Sequence, residues 1–161
     1  MKLLMDRAIS ELLKPFLPAE GVAASFEIMG IDSQLVHDGT YFVAVEQDAI
    51  IGCGGWSRRA TLFGGDHTTG RNAAFLDPTV EPARVRAMYT HPDHVRKGVG
   101  RAILEACEDA AQAEGFRRTE LVATLAGEPL YRATGYTVVE AFDVPTTQGV
   151  AVPVRRMVKK L

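Results

Sequence analysis

The chain has 161 residues, 47% apolar and 24% charged, which fits one globular domain, residues 1–161, with a substantial core. Eighteen Lys and Arg stand against twenty Asp and Glu, a formal net charge of −2, so no global basic bias favours nucleic acid or an anionic membrane. Cys53 and Cys107 sit outside any CxxC spacing and fit buried thiols in a reducing compartment better than a disulfide framework or a zinc site, and no apolar run approaches membrane-spanning length.

The N-terminus, MKLLMDRAISELLKPF, carries acidic residues and no small-residue cleavage site, so a signal peptide is not expected and a cytoplasmic location follows by default. Within it, Ile9, Leu12, Leu13 and Phe16 form one stripe at helical spacing, which predicts a helix over Leu3 to Phe16, ended by Pro15 and Pro18. Gly21 to Leu35 suggests a second short helix through Val22, Phe26 and Met29, interrupted at Gly30.

Thr40 to Val45 reads as an interior strand, apolar on both faces. Glu46-Gln47-Asp48 turns it, and Ala49 to Trp56 returns as the second strand of a hairpin. Gly52, Gly54 and Gly55 in that strand mark bulges or close-packing points. Ser57 to Pro82 loses all period. A loop of this length is usually functional or disordered, and Leu62, Phe63, Phe75 and Leu76 argue for an ordered excursion on the side of a substrate pocket.

Ala83 to Thr90 is the next strand. His91-Pro92-Asp93 leads from it into Val95-Arg96-Lys97-Gly98-Val99-Gly100-Arg101, two glycines and three cations where a helix begins. A helix start presents unpaired N–H groups and the positive end of its dipole, glycines admit close approach, and the cations add charge. Together they suit a phosphate. The helix runs through Ile103, Leu104, Cys107, Ala110 and Ala111 and stops at Gly115. A strand from Arg118 to Thr124, a short helix from Gly127 to Ala133, and a closing pair, Tyr136 to Val144 and Val150 to Lys159, complete a mixed sheet with packed helices.

Two nucleotide motifs fail at the glycine turn. No stretch matches G-x-x-x-x-G-K-[ST], and the dinucleotide fingerprint loses its third glycine to Ile103. The segment Met88 to Phe116 instead resembles the acyl-CoA-binding core of the GNAT superfamily of N-acyltransferases. The family's [Gln/Arg]-x-x-Gly-x-[Gly/Ala] aligns with Val95 to Gly100, with Val95 departing from the first position. Downstream, Leu130-Tyr131-Arg132-Ala133-Thr134-Gly135-Tyr136 resembles the family's aromatic-Tyr-x-x-x-Gly-aromatic segment, with Leu130 in the first aromatic place. Thr124 stands where the family often has Asn, and Gly127 where it often has Ala.

The resemblance implies an α/β (α+β) fold with a mixed, mostly antiparallel sheet flanked by helices, whose parallel middle strands, 83–90 and 118–124, splay apart. It implies transfer of an acetyl group from acetyl-CoA to a primary amine by direct attack. Arg96, Lys97, Arg101 and the backbone from Val95 to Gly100, Gly98 and Val99 included, would hold the pyrophosphate. Met88-Tyr89-Thr90 would pair with the pantetheine arm, Thr124 would face the cofactor, and Tyr131 would protonate the leaving sulfur. A phenol, ordinarily titrating near pH ~10, suits that role, whereas an amine of pKa about 10.4 needs a base or a water path to become neutral.

Other readings stand beside these. Tyr131 is a plain half-buried aromatic, or the basic turn a solvated charge run, in the structural alternative. His91 and Asp93 fit turn-shaping better than catalysis, and Cys53 fits an inert buried thiol. Glu46, Asp66, His67 and Glu81 are the candidate bases. Trp56-Ser57-Arg58-Arg59 would contact an acidic substrate or anchor the long loop. The rival functions are a non-catalytic acyl-CoA sensor and a protein-interaction domain with Trp56, Phe63 and Phe75 as an exposed patch. The expected partner is a small-molecule or peptide amine, with no metal, nucleic acid or membrane, and a homodimer is compatible.

Overall fold

The computed structural model describes all residues from Met1 to Leu161. In chain order the elements are helices α1 (Lys2–Leu12), α2 (Ala19–Ser25) and α3 (Ser33–His37), strands β1 (Tyr41–Glu46), β2 (Ala49–Ser57) and β3 (Ala83–Thr90), helix α4 (Val99–Ala113), strand β4 (Arg118–Thr124), helix α5 (Glu128–Ala133), and strands β5 (Thr137–Val144) and β6 (Val152–Lys160). The strands form one sheet in the order β1-β2-β3-β4-β6-β5. Every neighbouring pair is antiparallel except β3 and β4. No helix is long and apolar enough to cross a membrane.

Helix α1 ends at Leu12 rather than Phe16, because the chain turns ahead of Pro15. The segment from Gly21 to Leu35 yields two helices instead of one interrupted helix, with Gly30 at φ 149° between them. The glycines of β2 are packing sites. A Cβ on Gly52 would lie 2.5 Å from Val99 Cγ1, and one on Gly54 would lie 2.1 Å from Met88 Sδ and 2.9 Å from Ile103 Cγ2, so α4 and the Met88 side chain rest directly on this strand. On the other face a Cβ on Gly55 would meet Tyr41 Cδ2 at 2.7 Å and Leu35 Cδ1 at 3.0 Å.

The period-two alternation of β2 thus sorts the two layers. Helix α4 buries Ile103, Leu104, Cys107 and Ala111 with Trp56, Val85, Leu121 and Met157. Helix α1 buries Leu4, Met5, Ala8 and Ile9 with Cys53 and Tyr89. Helix α2 adds Ala24, with Ile28 just beyond it, against Val144, Val152 and Val154.

Strands β3 and β4 are joined only at one end, through Ala83 opposite Thr119 and Arg84 opposite Glu120. There Glu120, with its side chain 2% exposed, is clasped between Arg84 of β3 and Arg156 of β6. Beyond this clasp the two strands part. On its far side β3 carries a bulge: Gly55 pairs with Arg86 and Cys53 with Tyr89, so Ala87 and Met88 together oppose Gly54. Ala87 takes φ 52°, unusual for a residue with a side chain, and its carbonyl accepts a hydrogen bond from the Tyr41 hydroxyl at 3.0 Å.

Residues 58–82 contain no helix or strand but are tied down throughout. Arg58 reaches Glu114 at 2.8 Å through Nε, and Arg59 makes a two-pronged contact with Asp38 at 2.7 and 3.0 Å while lying 4.3 Å over the Phe75 ring. Arg71 Nη2 donates to Asp32 Oδ1 at 2.7 Å, and His67 Nε2 lies 2.8 Å from the Phe26 carbonyl. Trp56 is buried edge-on to Phe116, with Arg58 across its ring. The Trp56-to-Arg59 stretch is therefore an anchor for the loop, and an exposed patch of Trp56, Phe63 and Phe75 does not exist: Trp56 is 2% exposed and Phe75 alone is open.

Candidate active site

The parting of β3 and β4 leaves backbone of β3 without a strand partner. The His91 N–H donates to the Ile51 carbonyl at 2.8 Å, so His91 and, by alternation, Tyr89 hydrogen-bond toward β2. The main-chain groups of Met88 and Thr90 then face the gap. A part-open cavity of about 110 Å³ lies in that gap. Met88, Tyr89, Thr124, Gly127 and Tyr131 contribute to its wall, together with Arg86 of β3 and Leu62, Phe63 and Gly64 of the long loop. The segment after α2 supplies Ile28, Met29 and Gly30.

Tyr131 belongs to α5, which Pro129 starts in its first turn and Gly135, at φ 96°, follows. Its ring packs edge-on against Tyr136 at 5.7 Å between centroids. Burial pushes its phenol above the ordinary value, with the charges of Cys107 and Tyr89 adding to the shift, and no hydrogen bond opposes it. The group therefore keeps its proton through the neutral range. Tyr89 differs. Its hydroxyl accepts the Gly30 N–H at 2.8 Å, its side chain belongs to the α1 layer and its main chain pairs with β2, so its phenol is committed to the structure and is not a second acid. Thr124 Oγ1 accepts the Gly127 N–H at 3.1 Å, closing the turn that leads to α5.

The basic turn lies at the end of β3. Arg96 has φ 63° and Gly98 φ 85°, and Gly98 caps α4 with no side-chain hydrogen bond to its first turn. The residues from Val95 to Gly98 and Arg101 are exposed. No carboxylate pairs with Arg96, Lys97 or Arg101, in contrast to most arginines of the molecule. A Cβ on Gly98 would meet nothing within 4 Å, whereas one on Gly100 would lie 3.0 Å from Leu130 Cδ2 and 3.4 Å from Thr90 Oγ1. Gly98 thus opens the mouth of the helix, and Gly100 brings it against the neighbour of Tyr131. Val99 packs on Gly52 and contributes backbone alone. Free amides, three uncommitted cations and an open glycine fit a pyrophosphate.

The candidate bases are elsewhere. Glu46, Asp66, His67 and Glu81 are all exposed and none lines the cavity. Glu46 accepts from His94 at 3.0 Å, and Glu81 accepts the Asp77 N–H at 2.7 Å. Burial pushes Asp66 up, but the Ser33 N–H and hydroxyl and Arg71 outweigh it and hold the carboxyl below its ordinary value, a poor setting for a base. His91 shapes the turn, as expected, with Nδ1 accepting the Asp93 N–H at 3.2 Å and Nε2 lying 2.8 Å from Arg7 Nη1. Cys53 and Cys107 are buried, and burial raises both thiols, Cys107 to about 12. The wall residues that sequence reasoning missed are Arg86 and the Ile28-Met29-Gly30 segment. The available signal for Arg86 was a pair of cations, Arg84 and Arg86, two apart on one face of a strand with buried residues on both sides.

A six-stranded sheet parted at a bulge, with a cation-rich helix start beside the parting, is the fold of N-acetyltransferases. Solved structures that share it include the following three. A GCN5-related N-acetyltransferase from Rhodopseudomonas palustris is 18% identical at a TM-score of 0.70, covering 99% of this chain and 87% of that one. A ribosomal-protein-alanine N-acetyltransferase from Brucella melitensis is 14% identical at 0.64, covering 99% and 91%. The PaiA N-acetyltransferase from Thermoplasma acidophilum, solved in complex with coenzyme A, is 12% identical at 0.63, covering 99% and 89%. No curated protein matches the chain. Residues 37–138 match the family model described as the acetyltransferase (GNAT) domain, and the chain belongs to that family.

Proposed function

We propose that this protein transfers an acetyl group from acetyl-CoA to a primary amine by direct attack, without a covalent enzyme intermediate. The observation that carries this reading is the position of Tyr131, a protonated phenol without a protein hydrogen bond, on the wall of a gap that adjoins the basic helix start. Acetyl-CoA supplies the activated thioester carbonyl. Arg96, Lys97, Arg101 and the amides opening α4 hold its pyrophosphate. The free main chain of Met88 and Thr90 pairs with the pantetheine arm as an added strand would, and a β3 amide donates to the carbonyl oxygen as charge develops there. Thr124 bounds the arm from the opposite strand. As the new C–N bond forms and the C–S bond breaks, the Tyr131 hydroxyl gives its proton to the sulfur.

The acceptor amine must also lose a proton. With no carboxylate or imidazole on the cavity wall, that proton leaves through water to solvent. Two buried free thiols accord with a cytoplasmic setting. The test is thiol release from acetyl-CoA against a panel of primary amines. Release that depends on both substrates supports a transferase. Coenzyme binding without release from any amine would make the protein a sensor of acyl-CoA, and no binding at all would remove the coenzyme from the account.

A further inference from the structure

The proposed chemistry leaves one wall group without a task. Arg86 stands on β3 one residue before the bulged Ala87, with its side chain 2% exposed, and it is the one charged residue lining the cavity. Its Nη1 lies 2.9 Å from Asp32 Oδ2, yet that contact lacks hydrogen-bond geometry. Nε, Nη1 and Nη2 of Arg86 all lack a hydrogen-bond partner, as does Asp32 Oδ2. The other Asp32 oxygen accepts from Arg71 Nη2 at 2.7 Å. Two guanidinium groups therefore share one fully buried carboxylate, and of the two only Arg71 also reaches Asp66, at 3.3 Å. Arg84 also has unpaired nitrogens, but it is clasped to Glu120 and does not reach the cavity.

Buried polar groups are almost always hydrogen-bonded, and a guanidinium with its donors unmade is costly. Burial lowers the Arg86 pKa to about 10, opposed by Asp32 and aided by Arg71, so the group stays charged at neutral pH. The fork matches a planar carboxylate, and the neighbouring wall of Met29, Leu62 and Phe63 suits a short carbon skeleton.

We propose that Arg86 receives a carboxylate carried by the acceptor, so that the amine acetylated by this protein belongs to an amino acid or a related aminocarboxylic acid. The assignment deepens the transferase reading and rests on it for the word acceptor. The carboxylate docks on Arg86, and the amine on the same molecule is turned toward the thioester beside Tyr131.

The test compares free amino acids with their carboxamides in the thiol-release assay. The amide amines are less basic, so protonation alone would favour the amides. The expected result is kcat/KM at least about tenfold higher for the acids, and collapse of that preference in Arg86→Met through a raised KM, with partial recovery in Arg86→Lys. Equal turnover of acids and amides overturns the proposal. So does an equal loss on both in Arg86→Met, which would put Arg86 on the thioester side. If Arg86→Met fails to fold, the wild-type comparison decides alone. A direct titration of N-acetyl amino acids into the CoA-bound protein separates the two readings. Arg86-dependent binding without any thiol release keeps the carboxylate site and ends the transferase, whereas thiol release indifferent to the carboxylate does the reverse.

Discussion

Replacing Tyr131 by Phe removes one oxygen and keeps the ring. The edge-on contact with Tyr136 at 5.7 Å and the burial of the side chain survive, and no protein hydrogen bond is lost. Stability should change by well under about 1 kcal/mol. The rate should not be spared, because a positioned general acid contributes about 10²- to 10⁴-fold. We expect kcat to fall at least about a hundredfold, roughly 2.7 kcal/mol of barrier, with little change in the KM for acetyl-CoA. Burial raises the Tyr131 pKa, so the acid form persists as pH rises. The wild-type kcat/KM should therefore climb as the acceptor amine loses its proton, with no falling limb from Tyr131 below about pH 10. Thiol release measured from about pH 6 to about pH 10, alongside melting curves of both proteins, tests every part of this. Full turnover in the variant, or a wild-type rate that falls off below about pH 9, would refute the assignment of Tyr131 as the acid.

Gly98 stands at φ 85° in open space, so Gly98→Glu combines backbone strain with a negative charge in the mouth of α4. The Kd for CoA should rise at least about tenfold by calorimetry, and an unchanged value would move the pyrophosphate elsewhere. Hydrogen bonds from Arg59, against burial, hold Asp38 below the ordinary carboxylate range. A depressed folded-state pKa stabilises above the unfolded value near ~3.9 and is lost as pH falls through the folded value. Asp38→Asn should cost about 1 kcal/mol in urea unfolding at neutral pH, and a deficit that persists in strong acid would show that the ion pair is not its source.

What the sequence disclosed and what it hid follow from how far apart the determining residues lie. The basic turn is local: glycines, cations and helix start are contiguous, so its chemistry is readable from Val95 to Arg101. The Tyr131 segment is equally compact. The glycines of β2 announced close packing, but only the fold shows that Val99, Met88 and Ile103 fill one face and Leu35 and Tyr41 the other. The bulge at Ala87 was hidden because a bulge is a mismatch between two strands, and one strand alone does not display it. Candidate bases were chosen by residue type. Glu46 is kept from the cavity by its place at the end of β1 beside His94, and the loop candidates by the path of the long loop, which turns Asp66 toward Ser33 and presents Leu62 and Phe63 instead. Arg86 and Asp32 are far apart in sequence, and their pairing needed the third dimension.

The gap between β3 and β4 draws its two sides from different stretches of chain. One side, which the proposed function gives to the coenzyme, comes from the compact run between Met88 and Tyr131, while the opposite wall is completed by Ile28 to Gly30 and Leu62 to Gly64. Those latter stretches carry no sheet register, yet Ile28 is buried against Val144, Val152 and Val154 with Phe63 packed beside them, and the Gly30 N–H holds the Tyr89 hydroxyl. On the proposed function, the donor side is built from one compact run and the acceptor side from two distant stretches. On that same proposal, exchanging only Leu62 to Gly64, with the Arg59, Arg71 and Leu76 anchors kept, is a route to changing which amine is acetylated.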